Sequence, residues 1–300
     1  MKKISTFIFL FCLCAALSSA IESGAQEGGD SAAQPILLKW LGNAGWEIQI
    51  GRTLILIDPF LTRKEADRGN EWKTDEAAVL SAIKRADYIF AGHSHADHIA
   101  DIPYIAKKFG PKVVGSRTTV NIALTAGVDK AQLMTIGGGE NLKFKEFSVQ
   151  VIGSEHGILR RGGQTRRPKS EEITKPLAGP VMGNAFVEGG SYLYCFTFGN
   201  HRLLHQSTGG FIAEKIAGLK VDTALLYPME RSDLAEMLKV LRPKTVFLHH
   251  FDRWRLPFAD GLPEPTLGRG RRFTRDVNSI DGNIKVIVPK FFESHELKNG

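Results

Sequence analysis

The sequence predicts an α/β protein whose strands and helices form a layered sandwich. Near the start, three short apolar runs are separated by Gly45 and by Gly51-Arg52, which is the pattern of a ladder of hairpin strands. Alternating strand and helix patterns follow. The second half of the chain repeats this order, and hairpin strands leading twice into strand-helix units are typical of a layered α/β sandwich.

Apolar periodicity and turn residues predict the individual elements. Strands are expected at 36–41, 46–50, 53–57, 88–91, 112–115, 147–152, 191–198, 201–205, 223–227, 244–248 and 284–288. Helices are expected at 74–84, 99–109 (interrupted early by Pro103), 118–126, 211–218 and 232–240. No element is predicted for the Gly-, Arg- and Pro-rich stretches 157–190 and 253–275. The first of these is read as a long loop, and loops of that length in a compact domain are usually functional or disordered.

Composition indicates a soluble globular protein with a sizeable core. The chain has 300 residues, of which 43% are hydrophobic and 24% charged, enough for one domain or at most two. Its formal net charge of +7 favours anionic partners, without distinguishing nucleic acids, membranes and small acidic substrates. Cys195 is the single cysteine outside the first twenty residues, so no disulfide is expected within the mature chain.

The first twenty residues have the layout of a secretory signal peptide. Lys2 and Lys3 precede an apolar run at 4–17, and Ser18-Ser19-Ala20 supplies the small residues of a cleavage site. A membrane anchor is the alternative, but the run is shorter than the ~20 residues that span a bilayer. We therefore expect a signal peptide at 1–20, a flexible leader at 21–35 and one domain at 36–300. The mature protein would be periplasmic or secreted, with no stable membrane anchor.

Four metal-ligating side chains lie within six positions. His93, His95, Asp97 and His98 follow a predicted buried strand and precede a helix, so they project from a turn at a sheet edge. Neutral imidazole is a good zinc ligand, and the i, i+2 spacing lets two rings reach one metal. The alternative is a surface histidine cluster without a ligand.

Two more histidines stand at predicted strand ends. His156 follows the strand at 147–152, and His249-His250 follow the strand at 244–248. A single histidine at a strand end is more often a core residue than a ligand. Several in one chain make His156 and His250 candidate ligands.

The segment His93-Ser94-His95-Ala96-Asp97-His98 resembles the HxHxDH signature of the metallo-β-lactamase superfamily. The stretches 41–46 and 56–60 are similar to the opening strands of its ascorbate-phosphate lactonase-like branch. The stretches 154–157 and 246–251 resemble the segments that carry the third and last histidine of that branch. The resemblance covers roughly residues 36–252, and it implies a four-layer αββα sandwich with the activity of a metal-dependent hydrolase.

The resemblance also implies a ligand set and a support residue. One metal would bind to His93, His95 and His156, and a second would bind to Asp97, His98 and His250. Zn²⁺ is expected, as one or two ions, with Mn²⁺ or Fe as other candidates. Asp58 would orient a ligand histidine, the alternative being an aspartate that caps the turn before Pro59.

The chain departs from the superfamily in one stretch. Most of these hydrolases place a metal-bridging aspartate where this chain has residues 204–210, which include no carboxylate. Ser207 or Thr208 occupies the place, so the second metal is expected to bind more weakly or to be absent. His205 could be an extra ligand, although a core or supporting role is favoured.

The expected chemistry is hydrolysis by a metal-activated water. A bound metal would lower the pKa of water toward about 7, and Asp97 would hold and orient that water as the catalytic residue. Arg160 and Arg161, which follow His156, suit a phosphate or carboxylate, although a solvated surface run is an equal alternative. A small anionic ester, either a phosphodiester or a lactone, is the expected substrate.

Two other functions remain open. One is a β-lactamase-like amide hydrolase, and the other is a metal-binding protein with little turnover, because the bridging aspartate is missing. Nucleic acid is not expected as a partner, since neither an added domain nor a long basic face is evident in the sequence.

Overall fold

A computed structural model describes residues 34–161, 164–166 and 171–297, without the side chains of 159–170. The predicted signal peptide, nearly all of the predicted leader and the side chains of Arg160 and Arg161 lie outside the described residues. Within the described part, no helix has both the length and the apolar character that crossing a bilayer requires.

The described residues form sixteen strands and seven α-helices. The strands are β1 (Ile36–Gly42), β2 (Gly45–Ile50), β3 (Thr53–Ile57), β4 (Tyr88–Phe90), β5 (Lys112–Gly115), β6 (Leu133–Thr135), β7 (Asn141–Lys143), β8 (Ser148–Ser154), β9 (Leu159–Arg161), β10 (Gln164–Arg166), β11 (Ser191–Phe198), β12 (His201–Gln206), β13 (Thr223–Leu226), β14 (Thr245–Leu248), β15 (Lys285–Ile287) and β16 (Ser294–Leu297). The helices are α1 (Glu76–Ala82), α2 (Ala96–Ile99), α3 (Ile102–Phe109), α4 (Arg117–Thr125), α5 (Ala213–Ile216), α6 (Arg231–Leu241) and α7 (Glu264–Ile280).

Two seven-stranded mixed sheets carry the fold. The first has the order β16-β1-β2-β3-β4-β5-β6, antiparallel up to β3 and parallel from β3 onward. The second has the order β15-β14-β13-β12-β11-β8-β7, antiparallel from β7 to β12 and parallel from β12 to β15. The predicted repetition of hairpin strands followed by strand-helix units is therefore confirmed.

Alternating strand residues supply two separate cores. In β3, Ile55 and Ile57 belong to the cluster between the sheets, together with residues of β11 and β12. Leu54 and Leu56 point to the other face, where they pack with residues of α1, α3 and α4. Because side chains of a strand alternate between faces, one apolar strand serves both layers. Buried residues of α6 and α7 pack on the second sheet, which gives the predicted αββα sandwich.

The structure differs from the predicted elements most at α7. This helix of 17 residues lies largely in the stretch 253–275, for which no element was predicted. Pro265 is tolerated because it stands in the first helical turn, and Gly270 lets the helix approach Val288, where a Cβ would meet Cγ1 at 2.8 Å. Burial of Phe273 and Val277 outweighs the poor helix propensity of the glycines.

Smaller differences affect weakly patterned segments. The helix expected at 211–218 is only four residues long as α5, and the short strands β6, β7, β9, β10 and β16 were not predicted. The expected loop 157–190 contains the β9-β10 hairpin and a single turn of 3₁₀-helix at Gly183–Ala185. The rest of its described part has almost no regular structure.

Candidate metal centre

The candidate ligands meet where strands of both sheets end. His93 follows β4, His156 follows β8 and His250 follows β14, while Asp97 and His98 lie on α2. In open α/β sheets, ligands bind beyond the carboxyl ends of the parallel strands. The fold therefore brings residues that are up to 157 positions apart to one edge of the sandwich.

His93, His95 and His156 form the first group. Each offers one ligand atom, and these three atoms lie within 4.8 Å of one another. His93 Nε2 is 3.0 Å from His95 Nδ1. The His156 Nδ1–H donates to the carbonyl of Gly157 at 2.8 Å, which leaves Nε2 with its lone pair for a ligand.

Asp97, His98 and His250 form the second group. His98 Nε2 is 3.2 Å from His250 Nε2, and Asp97 Oδ2 lies 3.4 Å from His250 Nε2 and 3.7 Å from His98 Nε2. Metal bonds of about 2.0–2.1 Å in a tetrahedral site separate the ligand atoms by roughly 3.3 Å. The donor set and its spacing therefore fit a metal ion. The two groups coincide with the two sets that the resemblance implies.

Asp58 and Ser207 fix the proton positions on two of the histidines. Asp58 Oδ2 accepts the Nδ1–H of His98 at 2.9 Å and the hydroxyl of Ser207 at 2.8 Å. Because the Ser207 proton is used in that bond, its oxygen must accept the Nδ1–H of His93 at 3.0 Å. The Nδ1 side of both rings is thus occupied, and Nε2 faces the ligand position, as supported metal sites require. Asp58 stands where an orienting carboxylate is expected, and it also accepts from the Gly92 N–H at 2.6 Å.

Close packing keeps Ser207 on the inner side of the histidines. A Cβ on Gly92 would lie 2.1 Å from Ser207 Cβ, so only glycine fits there. Ser207 contacts the Nδ1 atoms of His93 and His98, not their ligand nitrogens. Thr208 lines the cavity beside the site, and its hydroxyl oxygen accepts the Gly157 N–H at 2.8 Å. Of the two residues expected in the place of the bridging aspartate, only Thr208 faces the cavity.

Burial keeps His93 and His95 neutral, nearby charges keep Asp97 ionised, and the carboxylates of Asp97 and Asp58 raise the pKa of His98 against its burial. Burial, with the neighbouring histidines, lowers the pKa of His93 well below its usual value. Burial, opposed in part by Asp97, lowers the pKa of His95 to about 4. Burial would raise the pKa of Asp97, but His98, His250 and His95 together lower it below its usual value. Neutral imidazole and ionised carboxylate are the forms that bind metals.

A buried polar network stabilises the second ligand group, which consists of Asp97, His98 and His250. The Asn43 side-chain amide donates to the Asp97 carbonyl at 2.6 Å, and the Asn43 carbonyl accepts the His250 N–H at 2.7 Å. Asp252 accepts the Asn43 N–H at 3.1 Å and forms an ion pair of 2.9 Å with Arg63, with both side chains almost fully buried. Asn43 and His250 both adopt left-handed backbone angles, with φ of 51° and 54°. The network connects the turn at Asn43 to the turn at His250.

His205 and His249 belong to the core and not to the ligand groups. The His205 Nε2–H donates to the Ala44 carbonyl at 2.9 Å, in agreement with the core role favoured from the sequence. The His249 Nδ1 accepts from the Trp46 indole at 2.9 Å, and its Nε2–H donates to the Gln206 carbonyl at 2.7 Å. With both nitrogens used, His249 has no lone pair for a metal.

A cavity of about 1110 Å³ opens over both ligand groups. Its outer wall includes three residues that sequence reasoning missed, namely Tyr227, Arg269 and Arg272. Tyr227 directly follows β13, just as the ligand histidines follow their strands. This position after a strand could have identified it from the sequence. The arginines lie on α7, whose position near the site no local pattern indicates. The side chains of Arg160 and Arg161 lie outside the described residues, although β9 starts three residues after His156.

Comparison with known proteins identifies the family. Residues 37–250 match the family model described as beta-lactamase superfamily domain. A UPF0173 metal-dependent hydrolase of Ligilactobacillus salivarius is 29% identical over 222 residues, covering 72% of this chain and 84% of that protein. One of Methanopyrus kandleri is 24% identical over 268 residues, covering 86% of this chain and 99% of that protein.

Solved structures show the same fold at low identity. Igni18, described as a novel metallo hydrolase from Ignicoccus hospitalis, superposes with a TM-score of 0.62 at 19% identity, covering 89% of this chain and all of that one. CmlA, a diiron β-hydroxylase from Streptomyces venezuelae, has a TM-score of 0.55 at 12% identity and covers 89% of this chain and 54% of that one. The chain therefore belongs to the beta-lactamase superfamily and is one of its metal-dependent hydrolases.

Proposed function

We propose that this protein is an exported hydrolase of a small anionic ester, either a phosphodiester or a lactone. The observation that carries this proposal is the pair of ligand groups at the floor of one cavity. The cavity volume of about 1110 Å³ is slightly above the usual range of about 300–1,000 Å³ for ligand pockets, so there is room for a small molecule. A polymer such as nucleic acid is not required by this shape.

The six residues of the two groups are proposed to hold the metal. A divalent metal bound there would lower the pKa of a water toward about 7 and would polarise the scissile oxygen. His93 and His98 present Nε2 because Asp58 and Ser207 occupy their Nδ1 sides. Zn²⁺ is the proposed ion, as one or two per chain, because a set rich in imidazole suits it. Mn²⁺ and Fe remain candidates to be compared by metal analysis.

Asp97 is proposed as the residue that orients the attacking water. Its side chain is 16% exposed, so the carboxylate reaches the cavity while remaining fixed by Asn43. His98 and His250 keep its pKa low, so the carboxylate is ionised at neutral pH. An ionised carboxylate can accept a hydrogen bond from water and take up its proton as the water attacks.

Arginines on two segments support the proposal that the substrate is an anion. Arg160 and Arg161 follow His156 closely in the chain, and Arg269 and Arg272 line the cavity. Guanidinium groups bind carboxylate and phosphate in a bidentate manner. Replacing Arg160 and Arg161 with Gln should lower kcat/KM for an anionic substrate and flatten its salt dependence, with unchanged metal content. Equal effects on a neutral substrate would refute substrate binding by these two residues.

Export is proposed from the layout of residues 1–20. The mature protein from its native host should begin near Ile21 or Gln26, which N-terminal sequencing can determine. Recovery of the mature protein with Met1 intact would refute cleavage.

A substrate screen tests the hydrolase proposal directly. Protein loaded with zinc or with manganese is assayed against bis(p-nitrophenyl) phosphate, a lactone and a chromogenic β-lactam. Turnover of the first or second supports the proposal, whereas turnover of the β-lactam alone supports the amide hydrolase. Failure of all three would favour a metal-binding protein with little turnover.

A pair of variants connects the activity to the site. His95→Ala should remove most bound metal and activity, because a methyl group cannot replace a ligand nitrogen. His295→Ala is the matched control, since His295 is also partly buried and lies on β16 outside both ligand groups. Full metal content and turnover in His95→Ala would refute the ligand assignment.

A further inference from the structure

Tyr227 has a fixed position on the wall of the cavity. It follows β13 directly, and its backbone N–H donates to Gln206 Oε1 at 3.1 Å. Its ring packs against Gly209, where a Cβ would lie 2.8 Å from Cδ1. Its ring centroid is 4.9 Å from that of His250. The tyrosine is therefore held against the ligand groups by its backbone and by its ring.

The hydroxyl of Tyr227 is not used by the rest of the fold. The buried Tyr194 donates its hydroxyl to the Ala91 carbonyl at 2.6 Å, and Tyr192 donates to the Ile136 carbonyl at 3.3 Å. By contrast, the Tyr227 hydroxyl makes no hydrogen bond to any residue that the structure describes. A phenol is protonated at neutral pH, so this hydroxyl can donate to a molecule in the cavity.

Arg269 places a positive charge on the wall of the same cavity. Its Nη1 donates to the Phe251 carbonyl at 3.0 Å, which fixes the guanidinium one residue beyond His250. Tyr227 and Arg269 line the same cavity as Asp97 and His250. In the described part of the chain, Arg269 forms no ion pair with an acidic residue.

Acidic residues on the cavity wall limit the positively charged part of that wall. Glu230, Asp233 and Glu236 belong to α6 or its N-terminal cap, and Asp276 lies one turn after Arg272 on α7. Asp276 therefore offsets the charge of Arg272, whereas the neighbouring turns around Arg269 carry no acid. Of the two cavity-lining arginines on α7, Arg269 is therefore the one without an acidic residue one helical turn away.

We propose that Tyr227 and Arg269 form a subsite for the anionic oxygen of the scissile group. This inference rests on the proposed function and names residues that bind its substrate. When water attacks an ester carbonyl, the π electron pair moves to the carbonyl oxygen. The Tyr227 hydroxyl donates a hydrogen bond to that oxygen while keeping its proton. The electron pair then returns, the bond to the leaving alkoxide breaks, and the alkoxide takes the proton that Asp97 accepted from the attacking water. In a phosphodiester, the same hydroxyl binds a non-bridging oxygen.

Tyr227→Phe tests the subsite because it removes only the hydroxyl. With a substrate found in the screen, kcat should fall by about 100-fold, which is typical for loss of one oxyanion donor. Affinity for inorganic phosphate, measured by calorimetry on the metal-loaded protein, should fall roughly tenfold, which corresponds to about 1.4 kcal/mol. Metal content should be unchanged. Arg269→Gln should weaken phosphate binding in the same direction.

Tyr88→Phe is the control, since Tyr88 packs on Phe144 and Phe147 away from the cavity. It should change neither kcat nor phosphate affinity. Wild-type phosphate affinity in Tyr227→Phe would overturn the inference, and so would loss of metal, which would show that Tyr227 acts only by supporting His250. If the wild-type protein hydrolyses none of the tested substrates, the proposed function fails, while the phosphate measurement still decides whether the subsite exists.

Discussion

Ser207→Ala removes the hydroxyl that connects Asp58 to His93. Two hydrogen bonds are lost, one to an ionised carboxylate and one from the Nδ1–H of His93, whose residue is 1% exposed. A bond to a charged group contributes about 1.5–3 kcal/mol, and a buried donor left without a partner costs about 1–3 kcal/mol. Because the two losses overlap in one small network, the free energy of unfolding of the apo-protein should fall by about 3 kcal/mol.

Metal binding should weaken in the same variant. Without Ser207, His93 can rotate or take the other tautomer, which places a proton on Nε2. Loss of such an orienting partner typically reduces metal affinity by about 10–100-fold. Urea unfolding of chelator-treated protein measures the stability, and zinc titration in competition with a chelating dye measures the affinity.

Ser94→Ala is the matched control for Ser207→Ala. Ser94 is equally buried and lies between two ligands in the chain, but its hydroxyl contacts Ser116 and Thr119 at 3.0 and 2.8 Å. It should lose stability without a comparable loss of zinc affinity. If Ser207→Ala binds zinc as tightly as the wild-type protein, the Ser207 hydroxyl does not set the His93 tautomer.

Three further perturbations have defined outcomes. Asp252→Asn should lower the free energy of unfolding, measured with urea, by about 3–5 kcal/mol, because Arg63 would be left as a buried unpaired cation. Asp87→Asn is the control: its ion-pair partner Arg85 is exposed, so the free energy of unfolding should fall by less than about 1 kcal/mol. The contribution of His95 to apo-protein stability, complete above about pH 6.5, should decline by roughly 3 kcal/mol as the pH falls toward 4, whereas His98, whose pKa is raised, contributes in the opposite sense. Over that range the unfolded chain binds a proton that folded His95, with its pKa lowered to about 4, does not; a flat difference between the pH profiles of the wild-type protein and His95→Ala would contradict this. Thr208→Asp should tighten the weaker step of a zinc titration, since Thr208 faces the cavity, and an unchanged second step would exclude position 208 as a bridging place.

Local sequence patterns are enough to locate the strand ends and the metal-ligating side chains that follow them. A strand of alternating or continuous apolar residues is a local pattern, and a histidine directly after it is visible without the fold. His93, His95, Asp97 and His98 are close in the chain, so their proximity in space needed only a turn. His156 and His250 could be named because each follows a predicted strand and lies in a segment that resembles a ligand segment of the superfamily.

Contacts between distant segments establish which side chains face the candidate metal position and which of them orient its ligands. His249 and His250 are adjacent in sequence, yet one donates into the core and the other faces the cavity, because the chain turns left-handed at His250. Ser207 lies on the inner side of the histidines because it packs closely against Gly92. This contact joins segments that follow strands of different sheets. Arg269 lies on a glycine-containing helix that exists because Phe273 and Val277 are buried. Such contacts join segments that are distant in the chain, so local helix and strand propensities cannot indicate them.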